Sequence, residues 1–115
     1  MTNLPFSEFR QIGNTYYIAG QIGLKNGKLI SDDFKEQTVQ AIANLVEILN
    51  QNGMEISNVV DITVFITDQD DFTTLNEVYA NGFKEPYPAR ATAIVKAIPM
   101  GAKVEITAIA SKNNQ

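Results

Sequence analysis

Residues 31–53 read SDDFKEQTVQAIANLVEILNQNG, and residues 59–67 read VVDITVFIT. In the first stretch Thr38, Ala41, Ile42, Leu45, Ile48 and Leu49 recur at three- and four-residue steps. That spacing lays one apolar face along a helix of about 18 residues. Ser31, Asp32 or Asp33 supplies a capping oxygen for its first turn, and Gly53 supplies the left-handed stop. In the second stretch the period drops to two and β-branched residues dominate. Val60, Ile62, Val64 and Ile66 are expected on one side, with Asp61, Thr63 and Thr67 sharing the other with Val59 and Phe65.

Towards the N-terminus, residues 7–12 and 15–22 read as strands about a Gly13-Asn14 turn. Asn26-Gly27 is a strong hairpin signal between Leu24-Lys25 and Lys28-Leu29-Ile30. Towards the C-terminus, a second helix starts at Asp70 or Asp71, carries Phe72, Leu75 and Tyr79 on one side, and stops near Gly82. Ala91–Ile98 and Lys103–Ser111 flank the turn-forming cluster Pro99-Met100-Gly101-Ala102 and read as a long antiparallel hairpin. The order β-β, short hairpin, α, β, α, β, β predicts one α+β domain over residues 1–115, a mixed sheet with both helices on one face. Ala93, Val95, Ala97, Val104, Ile106, Ala108 and Ala110 suggest final strands that are apolar on both faces. The face without helices then needs cover, most economically from a second copy, so a homo-oligomer is expected.

Composition narrows the chemistry. The 115 residues are 44% apolar and 19% charged, with no histidine, cysteine or tryptophan. Ser-His-Asp and Cys-His nucleophilic chemistry, thiol redox, and zinc sites of imidazole or thiolate are excluded. Any proton transfer must use Asp, Glu, Lys, Tyr or backbone groups with water. Net charge is −4, the basic side chains are scattered, and Arg10 and Arg90 are the sole arginines. No basic stripe can be drawn, so no nucleic-acid partner is expected. Apolar runs are too short to span a membrane. The Met1-Thr2-Asn3-Leu4-Pro5 start does not read as a signal peptide, which makes the cytoplasm the expected location.

Four features carry possible chemistry. Tyr87-Pro88-Ala89-Arg90 leads into a strand, and Pro88 holds Tyr87 extended, so Arg90 stands at a strand entrance. An arginine fork there suits a small carboxylate, though taken alone a surface arginine at a strand end is the more ordinary reading. Glu105, in Lys103-Val104-Glu105-Ile106, is a carboxylate in an apolar strand, suited to handling a proton on water. A hairpin symmetric about Met100-Gly101 would instead pair it with Lys96. The same register sets Arg90 opposite Ser111, about 20 Å from Glu105, so the two would need a neighbouring subunit to share a site. Ala19-Gly20-Gln21-Ile22-Gly23 permits close backbone approach but lacks the phosphate-loop pattern; it also reads as a simple turn. Phe6, after Pro5, either lids a pocket or fills core.

These features, in this order, resemble the Rid family of small imine/enamine deaminases, also described as YjgF-like or L-PSP endoribonuclease-like. The resemblance rests on Gly13-Asn14, Ala19-Gly20-Gln21-Ile22, Val60 to Ile66 with Asp71-Phe72, Tyr87-Pro88-Ala89-Arg90-Ala91, Ile98-Pro99, and Lys103 to Ala110. It implies a chorismate-mutase-like fold, a homotrimer with clefts between subunits, and hydrolysis of reactive 2-imino acids to 2-keto acids and ammonia. These substrates are tautomers of 2-aminoacrylate and 2-aminocrotonate, released by pyridoxal-phosphate dehydratases. No cofactor and no metal are implied. By resemblance Arg90 grips the substrate carboxylate, Glu105 positions or activates the attacking water, Gly20 lines the pocket, and Thr92 takes a place often held by cysteine. Phe6 and Ala19 stand where tyrosine and serine are common, and each deletes a hydroxyl. A non-catalytic keto-acid binding module is the alternative, and an endoribonuclease or translation inhibitor a more distant one.

Overall fold

Asp33 caps the first helix, its side chain accepting a 2.9 Å hydrogen bond from the Glu36 amide. The structure is a computed structural model that describes residues 4–113. From that cap, helix α1 runs over Phe34–Gln51 with Ala41, Leu45 and Leu49 completely buried, so the stripe read from the sequence is the buried face. Before it lie strands β1 (Phe9–Ile12), β2 (Thr15–Gln21), β3 (Leu24–Lys25) and β4 (Lys28–Leu29). Asn26 and Gly27 take φ values of +56° and +80°, the left-handed pair that a two-residue hairpin turn requires. After α1 come β5 (Val59–Ile66), helix α2 (Phe72–Gly82), β6 (Ala89–Ile94) and β7 (Val104–Ser111).

The five longer strands form one sheet in the order β1-β2-β7-β5-β6. β7 is antiparallel to both neighbours, whereas β6 is parallel to β5 and reached through α2. Ile62, Val64, Ile66, Val104 and Ile106 are fully buried and share one core with Leu45, Leu49 and Leu75 from the helices. This is the expected α+β arrangement, a mixed sheet carrying both helices on one face.

Three expectations need correction. Residues 91–98 and 103–111 do not form a hairpin with each other; both β6 and β7 pair with β5 instead. Thus Glu105 lies opposite Phe65 rather than Lys96, and Arg90 opposite Ile62 rather than Ser111. The four apolar residues Val104, Ile106, Ala108 and Ala110 all point to the helix side, while Glu105, Thr107, Ile109 and Ser111 occupy the other. β7 therefore alternates and is not apolar on both faces. In β5 the ladder register shifts between Val59 and Asp61, which turns Val59 into the core and leaves Val60 exposed.

One buried polar residue ties the layers together. Gln37 is 1% exposed; its Nε2 donates to the Ser31 carbonyl at 2.8 Å and its Oε1 accepts from the Lys103 amide at 2.9 Å. Both ends of the amide are satisfied, as burial requires.

Candidate functional site

β6 places Arg90. Its ladder partner Ile62 and that of Thr92, Val64, both point into the core. Residues paired in a parallel ladder face the same way, so Arg90 and Thr92 lie on the helix side of an edge strand. There α2 meets the guanidinium. Arg90 Nη2 donates to Asn76 Oδ1 at 2.7 Å, and Cζ sits 4.7 Å from the Tyr79 ring centroid and 5.7 Å from that of Phe72. A hollow of about 280 Å³ opens beside it, lined by Asn76, Tyr79, Ala80, Tyr87, Pro88 and Arg90.

Tyr79 is 6% exposed and stacks on Phe83 at a centroid distance of 4.3 Å. Its hydroxyl has no hydrogen-bond partner among the described residues. Burial pushes its pKa up to about 12, with Asp61 and Tyr87 adding to the rise and Arg90 pulling against it. The phenol is therefore neutral at physiological pH.

Glu105 occupies the opposite side of the sheet. It faces outward from β7 next to the irregularity in β2 between Ile18 and Gln21, against Gly20. A Cβ at position 20 would collide with the carboxylate oxygen and lie 2.8 Å from Glu105 Cδ. The glycine is what allows this carboxylate to lie flat on β2. Ala19 borders a separate hollow of about 420 Å³ with Pro5, Phe6, Arg10 and Tyr17. Phe6 is 67% exposed and so does not fill core.

The structure brings Gly20 and Glu105 together, sets Ala19 and Phe6 along one hollow, and puts Arg90 and Thr92 on the other side. By the ladder registers the Arg90 and Glu105 backbones are about 14 Å apart, with the sheet between their side chains. Residues missed from the sequence are Asn76 and the joint role of Phe72 and Tyr79. Positions 72, 76 and 79 fall on one helical stripe, and the polar Asn76 within it was the available signal. Among the described residues no three of His, Cys, Asp and Glu are grouped so as to hold a metal ion, and no helix is long and apolar enough to cross a membrane.

Fold and side chains together describe a small α+β protein that keeps an arginine and a carboxylate on opposite sides of one mixed sheet. The chain belongs to the Endoribonuclease L-PSP family, whose model matches residues 1–112. It is 43% identical to the human 2-iminobutanoate/2-iminopropanoate deaminase over 92% of this chain and 79% of the human protein. The crystal structure of RidA from an Antarctic Psychrobacter superposes with a TM-score of 0.91 at 38% identity, covering 96% of this chain and 91% of that one. That of E. coli TdcF with bound serine gives 0.90 at 32% identity, covering 97% and 92%. The sequence resemblance to Rid proteins is thereby borne out.

Proposed function

We propose that the protein hydrolyses small reactive 2-imino acids to 2-keto acids and ammonia. The observation that carries this reading is the 43% identity, over nearly the whole chain, to a protein named 2-iminobutanoate/2-iminopropanoate deaminase. The residues suit the chemistry. Arg90 keeps guanidinium donors beyond the one given to Asn76, enough for a carboxylate. Thr92 adds a hydroxyl on the same face, while Phe6, Ala19 and Gly20 border the substrate near Glu105.

A protonated imine is already electrophilic at C2. A water hydrogen-bonded to Glu105 adds its oxygen to that carbon, and the C–N π pair moves to nitrogen. The carboxylate takes a proton from the added water and delivers it to the amine. The C–N bond then breaks, ammonia departs, and the remaining hydroxyl gives its proton to the Glu105 carboxylate, which passes it to water, leaving the keto oxygen. Orientation of one water against an anchored substrate supplies several kcal/mol.

Arg90 and Glu105 lie on opposite faces, so a site containing both is assembled from two copies. Each copy then presents Arg90 to one neighbour and Glu105 to another, a head-to-tail contact that closes into a ring. Three copies is the ring we propose, with residues 1–115 acting as one domain in the cytoplasm. Net charge of −4 with scattered basic side chains argues against RNA as the partner.

The test couples purified protein to a dehydratase acting on serine or threonine and follows decay of the imine. Acceleration is expected, and Arg90→Ala abolishes it. No acceleration with any 2-imino acid overturns the reading, and tight 2-keto acid binding without turnover makes the protein a binding module.

A further inference from the structure

We infer that one stripe of α2, Phe72, Asn76 and Tyr79, positions Arg90 for its ligand and does so through a neutral acceptor that leaves the guanidinium charge available. The inference rests on the reading of Arg90 as a carboxylate receptor. An arginine side chain has many rotamers, and fixing one on binding costs affinity. Here the cost is met before the ligand arrives. The Tyr79 ring lies 4.7 Å from Arg90 Cζ and the Phe72 ring 5.7 Å, both within the range of cation–π attraction. Tyr79 is itself held, stacked on Phe83 with an interplanar angle of 18° and tilted against Tyr87 at 6.3 Å. The Tyr79 part of the platform is therefore in the packed interior, while Phe72, 42% exposed, lies at its rim.

Asn76 supplies direction. Its Oδ1, 2.7 Å from Arg90 Nη2, sets the rotation of the guanidinium about its stem. Spacings of four and three residues bring all three side chains to the same edge of the helix, facing β6. The identity of the acceptor matters. An aspartate of the same shape at position 76 would form a stronger, charge-assisted bond, yet it would offset the cation that a substrate carboxylate needs. An amide oxygen orients without neutralising. Asn76 is thus a positioning residue whose usefulness lies in being uncharged, which makes asparagine better here than its isosteric acid.

The experiment compares Asn76→Asp, Asn76→Ala, Tyr79→Leu and Tyr79→Phe with wild type. Readouts are KM and kcat for imine hydrolysis, 2-ketobutyrate binding by calorimetry, and the guanidinium resonances of arginine-labelled protein. Arg10 is exposed and, as the other of the chain's two arginines, serves as the internal reference. Arg90 is expected upfield of Arg10 through the Tyr79 ring current. Asn76→Asp is expected to raise KM and weaken 2-ketobutyrate about tenfold or more, with kcat within about twofold. Asn76→Ala, which leaves the charge unopposed, is expected to lose about half as many orders of magnitude. Tyr79→Leu raises KM and moves the Arg90 resonance towards that of Arg10, and Tyr79→Phe, which returns the ring, recovers most of both. A merely structural Asn76 reverses the order, with the isosteric aspartate milder than alanine; that result overturns the inference. So does an Arg90 resonance coincident with that of Arg10 in wild type. A wild-type protein inactive on every imine overturns the deaminase reading alone, because the resonances and the 2-ketobutyrate affinities still rank the variants.

Discussion

Gly20 shows how one missing side chain makes room for the carboxylate of the proposed site. The Glu105 carboxylate occupies the space where any Cβ at position 20 would stand, with Cγ 3.0 Å and Cδ 2.8 Å from that point. An added methyl meets the carboxylate first, so Gly20→Ala is expected to swing Glu105 away from the strand rather than unfold it. Turnover should fall about tenfold or more, as for other losses of an aligned proton-transfer group. Glu105→Gln should lower kcat comparably, and the double variant should be no worse than the poorer single one, since both act on the same carboxylate. Steady-state kinetics on the three variants, with circular dichroism to check folding, decides it; additive losses would separate the two residues. The sequence exposed half of this pair. A glycine after a β-rich run signals close approach by something, but its partner comes from the last strand, and spacing along the chain carries no trace of it.

Secondary structure was most legible where local chemistry acts alone. The α1 stripe and the Asn26-Gly27 turn follow from capping, periodicity and left-handed preference, and the elements form where those signals lie. The pairing of the last strands was not legible, because β6 and β7 are joined by a turn-rich segment that looks like a hairpin loop. The competition is decided by packing: β7, with Val104, Ile106, Ala108 and Ala110 on one side, belongs in the sheet centre between β2 and β5. β6, which carries Arg90 and Thr92 on the helix side, goes to the edge. The start of α2 has an electrostatic cost that sequence distance also hides. Burial, followed by the nearby Asp68, raises the Asp71 pKa; Asp70 and Asp33 add to it while Lys103 opposes. A carboxyl whose folded pKa is raised holds its proton more tightly in the native state. Its contribution to stability is then full below the unfolded value, near pH 4, and is lost as pH rises through the folded value. Asp71→Asn removes the charge but keeps a residue suited to a helix start. It should therefore melt higher than wild type at pH 7, with the difference shrinking as pH falls towards 4. Thermal unfolding across that range is the measurement, and a variant less stable at pH 7 would mean that attraction to the helix N-terminus outweighs the repulsion.

At the level of the whole molecule, the sheet acts as a partition. Arg90 is on the helix side of β6, Glu105 is on the far side of β7, and β5 lies between the two strands. The sequence anticipated the separation from a register that proved wrong, yet the conclusion survives for a firmer reason, since alternation along β5 sends the two side chains to opposite faces. No rotamer change can carry an arginine through a hydrogen-bonded sheet. The outward face that holds Glu105 also carries Phe65, Ile109 and the 48% exposed Tyr17, apolar surface suited to another copy of the chain. If each site takes Arg90 from one copy and Glu105 from the next, a variant lacking the arginine and one impaired at the glutamate must complement. Co-expressed or co-refolded at equal amounts, Arg90→Ala and Glu105→Gln chains assort at random, and a site is intact when its arginine comes from the second variant and its glutamate from the first. Two independent choices between equal pools leave about a quarter of the sites whole in any closed ring. Recovery of about a quarter of wild-type turnover is expected on mixing, against none from Arg90→Ala alone and about a tenth or less from Glu105→Gln alone. The same mixture remaining at background, with mixed oligomers demonstrated by native mass spectrometry, would place the working site within one copy.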